Sequence, residues 1–371
     1  MKFTLSTRPL KNAVDLAVIR DNISKFNKRS TLAQITVLKN ELRINLEANS
    51  VFTEITLQGS CDEPIEEERT VFIDCNIFRA LIDSFEADIT TIEFVEGGII
   101  LHSNSSKFNL PSMFSNIEGI SLTRPSSEIA EECVEIVPED WTFVKDHQLF
   151  AISIWKTNLV YTLVYVNADG TVLVGDIDNS IFTWTKKSNL NTTFLLNPNI
   201  INLFTVLPDH CKLYKHDKNY IVNVVTDSYT LNSEFIPDYE GDEGIGSYSA
   251  DLILGTMNPS ENYIEFSPVP IYRFLTQLDL VSTKEDREEI SFEVREDSLV
   301  ISNESSKINL PITKHGEVSP YKGNFKATIF KSIFSSLNME MVKVNPTYVE
   351  DDISGCLFYA DDLKIVLGFQ D

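Results

Sequence analysis

No apolar run in this chain approaches the ~18 residues that cross a bilayer as a helix. The start, Met1-Lys2-Phe3-Thr4-Leu5-Ser6, passes straight into an alternating pattern with no signal-peptide core. These absences lead to the expectation of a soluble, intracellular (cytoplasmic) protein with no membrane partner. Cysteine is sparse. Cys61, Cys75, Cys133, Cys211 and Cys356 are far apart, odd in number and free of CxxC spacing, which speaks against a disulfide framework or a cysteine-rich zinc site. Catalytic signatures are missing as well: there is no P-loop, no dinucleotide-binding glycine fingerprint, no HExxH and no GxSxG string. None of the five histidines (His102, His147, His210, His216, His315) pairs with a carboxylate at ligand spacing. Asp351-Asp352 and Asp361-Asp362 read as solvated turns in so acidic a chain. No catalytic residue, cofactor or metal is expected.

Positive charge is also scarce. Against 55 acidic residues there are 31 basic ones, a net charge of −24. This argues against a protein whose whole surface binds nucleic acid. It leaves room for one that keeps its few cations on a single inner face, with an acidic exterior that discourages binding elsewhere. The 371 residues suffice for two or three domains at roughly 100–200 residues each.

What is present is a repeat. Three segments open with a short alternating strand and then enter a helical pattern: Lys2-Phe3-Thr4-Leu5 before Arg8 to about Arg20, Val134-Glu135-Ile136-Val137 before Trp141 to about Ile154, and Tyr263-Ile264-Glu265-Phe266 before Ile271 to about Val281. In the first, Leu10, Ala13, Val14, Ala17 and Val18 form one face of an amphipathic helix. A second helix follows in each segment, at Ile77-Phe78 to Phe85, Ile200-Ile201 to Leu207 and Ile329-Phe330 to Leu337. Asp74 and Asn197 are suited to cap the first two, and Pro198 to a first turn. Alternating strands over Leu32–Val37, Leu42–Leu46, Thr53–Leu57, Ile92–Val95, Ile99–His102 and Lys107–Leu110 complete a half-unit of one helix and about three strands. The string Ile99 to Pro111 recurs as Leu299 to Pro311, read with Glu304 as an insertion. Polar linkers at 123–128 and 238–246 divide the chain into 1–124, 129–241 and 247–371.

These features resemble the bacterial-type DNA polymerase sliding clamp, the beta subunit, over nearly the whole length. Met1-Lys2-Phe3-Thr4 is similar to that family's opening strand. Ser30 to Ile35, Thr70 to Asp74, Phe108 to Met113, Phe235-Ile236-Pro237-Asp238-Tyr239 and the final strand Leu363 to Asp371 follow in the family's order. The family's Asp-Gly-His-Arg-Leu string reads Asp178-Asn179-Ser180-Ile181-Phe182 here. The divergence resembles that of a virus-encoded member.

The resemblance implies an α+β fold of three tandem clamp domains, helices lining a ring and sheets outside. It implies a head-to-tail homodimer with six domains around double-stranded DNA, and partners, a DNA polymerase and a clamp loader, held by short peptide motifs. Candidate channel cations on or near helices are Arg8, Lys11, Arg20, Lys25, Lys28, Arg29, Arg79, Lys145, Arg273 and Lys331. The peptide pocket carried over from the family falls at Ile181, Phe182, Ile365, Leu367 and Phe369. A clamp-like transcription coactivator, a metal-dependent nucleic-acid enzyme and a repeat-built structural protein stay open as alternatives.

Overall fold

The computed structural model describes residues 1–17, 32–64, 68–114, 120–122, 124–125, 133–153, 162–176, 180–186, 188, 194–196, 199–207, 211–216, 219–235, 253–281, 289–337, 340–349, 352–360 and 362–370, apart from 49–50. The chain divides into two compact units, one of Met1–Pro138 with Asn202–Asp238 and one of Glu139–Ile201 with Tyr239–Asp371.

The first unit holds a five-stranded sheet in the order β5 (Ser60–Cys61), β1 (Lys2–Ser6), β7 (Ile89–Val95), β8 (Gly98–Ser103) and β9 (Ser106–Pro111). Its other sheet has eight strands: β10 (Cys133–Glu135), β15 (Lys212–His216), β16 (Asn219–Val225), β17 (Tyr229–Phe235), β4 (Val51–Gln58), β3 (Glu41–Ala48), β2 (Leu32–Val37) and β6 (Arg69–Asp74). The second unit holds a nine-stranded sheet, β14 (Phe194–Leu195), β11 (Thr162–Val166), β12 (Val172–Asp176), β13 (Ile181–Thr185), β26 (Leu363–Gly368), β25 (Asp352–Ala360), β24 (Val342–Val349), β18 (Tyr263–Phe266) and β22 (Thr313–His315). Four strands form its second sheet: β21 (Lys307–Pro311), β20 (Ser298–Ser302), β19 (Glu289–Val294) and β23 (Tyr321–Lys326).

Two strand pairs explain why the compact units cut the chain differently from the three sequence segments. β17 pairs with β4, so the end of the middle segment extends a sheet begun by the first. β13 pairs with β26, so the strands β11 to β14 of the middle segment extend a sheet of the last. Backbone groups at a sheet edge seek partners, and here each half of the middle segment supplies them to a different neighbour.

The helices are α1 (Thr7–Ala17), α2 (Cys75–Ser84), α3 (Pro138–His147), α4 (Phe150–Ser153), α5 (Asn199–Phe204), a single turn over 253–256 (α6), α7 (Val269–Val281) and α8 (Ala327–Ser336). Leu10, Ala13, Val14 and Ala17 are buried on α1 as their spacing requires; Val18 lies outside the described residues. Asp74 caps α2, its carboxylate accepting from Asn76 N and Ile77 N at 2.9 and 3.1 Å. The cap expected at Asn197, with Pro198, lies outside the described residues. The helix expected from Trp141 to about Ile154 is instead two helices. Between them Gln148 is fully buried and donates from Nε2 to Val172 O and Thr183 Oγ1, a side-chain demand that periodicity alone does not reveal.

The repeated hairpin is present twice in one geometry. Leu101 faces Phe108 and Gly98 faces Pro111 in the first copy, and Ile301 faces Ile308 and Ser298 faces Pro311 in the second. The register keeps one constant offset between copies, so Glu304 replaces Asn104 and nothing is inserted. β9 and β21 are both edges of their sheets.

The last module is packed around phenylalanine. Phe292 contacts Phe325, Phe330 and Phe358 with ring centroids 5.8–5.9 Å apart, and Phe330 and Phe334 meet edge to face at 4.9 Å. Such pairings add directional attraction to area burial.

Replacing Asp74 by Ala is expected to lower unfolding free energy by about 1 kcal/mol through loss of the cap, read from urea denaturation. A second expectation concerns acid. Glu93 Oε2 lies 2.7 Å from His102 Nε2 across β7 and β8, and this hydrogen bond holds the Glu93 carboxyl below the ordinary glutamate range. A depressed folded value gives stability that is complete above the unfolded value and lost as pH falls through the folded one. Thermal melts should therefore show wild type losing more than Glu93→Gln below about pH 4.5.

Candidate functional site

Alternation along two paired strands builds the most distinctive surface of the second unit. In the β13–β26 ladder Ile181 faces Leu367, Phe182 faces Val366, Thr183 faces Ile365 and Trp184 faces Lys364. Because side chains alternate with period two, Ile181, Thr183, Ile365 and Leu367 project to one face, where each is at most 1% exposed. Phe182, Trp184, Lys364 and Val366 project to the other.

On that second face Tyr165, Leu173, Ile253 and Met257 form a buried apolar cluster, against which the half-buried Phe182, Trp184, Leu254 and Val366 pack. Tyr165 and Leu173 come from β11 and β12, while Ile253, Leu254 and Met257 come from α6 and the residue after it. A sheet face needs a partner to stay dry, and this short segment covers only part of it. β12 is buried at every position. Gly175 is required here by space: a Cβ would lie 2.3 Å from Phe182 Cδ1.

The five residues expected to wall a pocket therefore divide. Phe182 stands in the apolar cluster. Ile181, Ile365 and Leu367 lie on the opposite, inward face. Phe369 is elsewhere: its ring packs on Phe325 at 5.1 Å and over Gly323 of β23, while its backbone N donates to Ser354 O. Tyr165, Leu173, Trp184, Ile253, Leu254, Met257 and Val366 were not singled out from the sequence. Alternation marks Trp184 as a companion of Phe182, but Val366 joins them only through the β13–β26 register, and the contribution of α6, some 70 residues away, carries no local signal.

Beside the cluster, Lys364 Nζ lies 4.2 Å from the Trp184 ring centroid. Burial pulls the Lys364 amine below the ordinary lysine range, because a charged group loses hydration there.

Six of the ten expected helix cations are described, and Lys11, Arg79 and Lys331 among them are engaged within the protein. In the first unit Arg79 of α2 pairs with Asp15 of α1 at 2.7 Å and with Asp83 at 3.7 Å. Lys11 donates to the Asp83 and Phe85 carbonyls at the end of α2, where a cation complements the helix dipole. In the second unit Lys331 of α8 pairs with Asp279 of α7. Arg79 and Lys331 are both the fifth residue of their helices, so the duplicated modules repeat the same interhelical bridge. Lys145 is half-buried in the last turn of α3. Arg8 and Arg273 are exposed, with no ion-pair partner among the described residues. Arg20, Lys25, Lys28 and Arg29 lie outside the described residues. Among the described residues no group of three or more His, Cys, Asp or Glu is placed to hold a metal ion, and no helix is long and apolar enough to cross a membrane.

Gly175→Ala is expected to displace the Phe182 ring and lower stability by about 1–3 kcal/mol, as overpacking does. Removing the ring removes part of the clash. In a double-mutant cycle by urea denaturation, Gly175→Ala with Phe182→Ala should lose less than the sum of the single changes.

At the level of sequence, no protein-family model and no curated protein matches the chain. Solved structures do. A putative DNA polymerase III beta subunit from Eubacterium rectale aligns over 100% of both chains with a TM-score of 0.74 at 14% identity. The DNA polymerase III beta subunit of Thermotoga maritima covers 100% of this chain and 99% of its own, with a TM-score of 0.73 at 12% identity. The Helicobacter pylori beta clamp, solved bound to a DNA ligase peptide, covers 100% of both with a TM-score of 0.65 at 13% identity. From end to end, this chain has the fold of the bacterial DNA polymerase III beta sliding clamps.

Proposed function

We propose that this protein is a DNA sliding clamp, a scaffold without chemistry of its own. Two copies join head to tail into a ring around double-stranded DNA, and the ring tethers a DNA polymerase and a clamp loader by short peptides. The observation that carries this reading is the likeness to sliding clamps over the full length of the chain. The apolar face at Phe182, Trp184, Leu254 and Val366 supports the tethering part, since a linear peptide laid in a hydrophobic cleft is a common recognition mode. The Helicobacter pylori beta clamp was solved bound to a DNA ligase peptide.

Ring closure needs two different surfaces that complement each other. The five-stranded and four-stranded sheets offer free edges at β9 and β21, the two copies of the repeated hairpin. Retention by topology needs little attraction to phosphate. Among the described residues the bridges Arg79–Asp15 and Lys331–Asp279 occupy two of the helix cations, which suits a ring that slides.

The test is the mass in solution followed by retention on DNA. Light scattering is expected to give twice the 42.0 kDa of the chain. Protein loaded on a nicked circle should survive a high-salt wash and be lost once the circle is cut. A monomer at every concentration, or equal retention on circular and linear DNA, overturns the ring.

A further inference from the structure

The outer face of the nine-stranded sheet does not end at the apolar cluster. One straight cross-strand row runs from Trp184 to Lys364, Tyr359, Lys343 and Glu265, each residue directly opposite the next on β13, β26, β25, β24 and β18. Neighbours in such a row stand about 5 Å apart. Both lysines rest against aromatic rings, Lys364 over Trp184 at 4.2 Å and Lys343 over Tyr263 at 5.3 Å.

What these two cations share among the described residues is an aromatic ring under each and no carboxylate beside it. Acids outnumber bases 55 to 31, and several cations elsewhere pair with carboxylates: Arg43 with Glu54, Arg79 with Asp15, Arg295 with Glu293, Lys314 with Glu296, Lys331 with Asp279. Among the described residues neither Lys343 nor Lys364 has a carboxylate within ion-pair distance. Glu265, which ends the row, lies nearer His315, at 3.6 Å. Lys364 loses hydration without gaining a counter-charge, and the lowered affinity of its amine for a proton records that cost. A cation held over a ring and left unpaired in an acidic protein is a site for an anion brought from outside.

We infer that the Lys364–Lys343 row is the second half of the peptide-docking site and takes acidic side chains of a partner peptide whose apolar residues occupy the Phe182 cluster. The inference rests on the docking role proposed for that cluster. The two lysines are two strand spacings apart, about 10 Å, which an extended peptide covers in about three residues. The occupant is therefore an apolar anchor followed by two acids about three positions apart. The Tyr359 ring between the lysines, with Trp184 beside Lys364 and Tyr263 beside Lys343, packs the peptide backbone and keeps water from the ion pairs.

Fluorescence anisotropy with three labelled peptides separates the outcomes. Each carries the same leucine-phenylalanine anchor, followed by two Glu, two Gln or two Lys at that spacing. Wild type should bind the Glu peptide about five- to tenfold more tightly than the Gln peptide, as two partly screened ion pairs provide. The preference should shrink as salt rises. In Lys343→Gln/Lys364→Gln, checked for an unchanged melting temperature, the Glu preference should vanish while Gln-peptide binding stays as in wild type. Equal binding of the Glu and Gln peptides, a preference that survives in the double variant, or displacement of the Glu peptide by single-stranded DNA would overturn the inference alone. If the Gln peptide also fails to bind, and Phe182→Ala changes nothing, the docking role itself falls and this inference falls with it.

Discussion

The pairing of β13 with β26 is the constraint on which the candidate site depends. In an antiparallel ladder a slip of one residue sends every side chain to the opposite face. In the observed register Ile181, Thr183, Ile365 and Leu367 close the interior, and Phe182, Trp184, Lys364 and Val366 face outward. The same pairing carries the nine-stranded sheet from residues of the middle segment to residues of the last. One set of backbone hydrogen bonds therefore creates the continuity of the sheet, the apolar cluster under α6 and the lysine–aromatic row beside it.

Duplication has left its mark on charge as well as on fold. The hairpins β8–β9 and β20–β21 share one register, and the helix pairs α1–α2 and α7–α8 share one interhelical bridge, Asp15–Arg79 in one and Asp279–Lys331 in the other. A half-exposed pair of this kind contributes little to stability. Its larger effect is electrostatic. It neutralises a cation that an unpaired helix would present to its surroundings. Lys343 and Lys364, by contrast, have an aromatic ring and no carboxylate within ion-pair distance among the described residues.

Much of the architecture was legible. The 3.6-residue spacing of Leu10, Ala13, Val14 and Ala17 located α1, and Asp74 announced the start of α2. Clean alternation marked β2 from Leu32 to Val37 to the residue. The Trp141 helix was less legible, because its break depends on where the Gln148 amide finds partners on β12 and β13. Phe369 continued the alternation of β26 on paper, yet past Gly368 the chain leaves the ladder and the ring settles on Phe325. The family resemblance offered Phe182 and Ile181 alike as candidates, both apolar and adjacent. Which of them faces the core is a matter of parity, and parity is fixed only when the partner strand is known.

The sequence by itself determined the elements, the repeat and the scarcity of catalytic and cationic groups, because propensity, capping and periodicity act over a few residues. Tertiary structure decided everything that joins distant residues. It placed α6 over Tyr165 and Leu173, and it bound Lys11, Arg79 and Lys331 to carbonyl or carboxylate oxygens. It set Lys364 and Lys343 in one row. Such contacts arise from sheet register and from packing between elements well separated along the chain, and no local pattern in a chain encodes them.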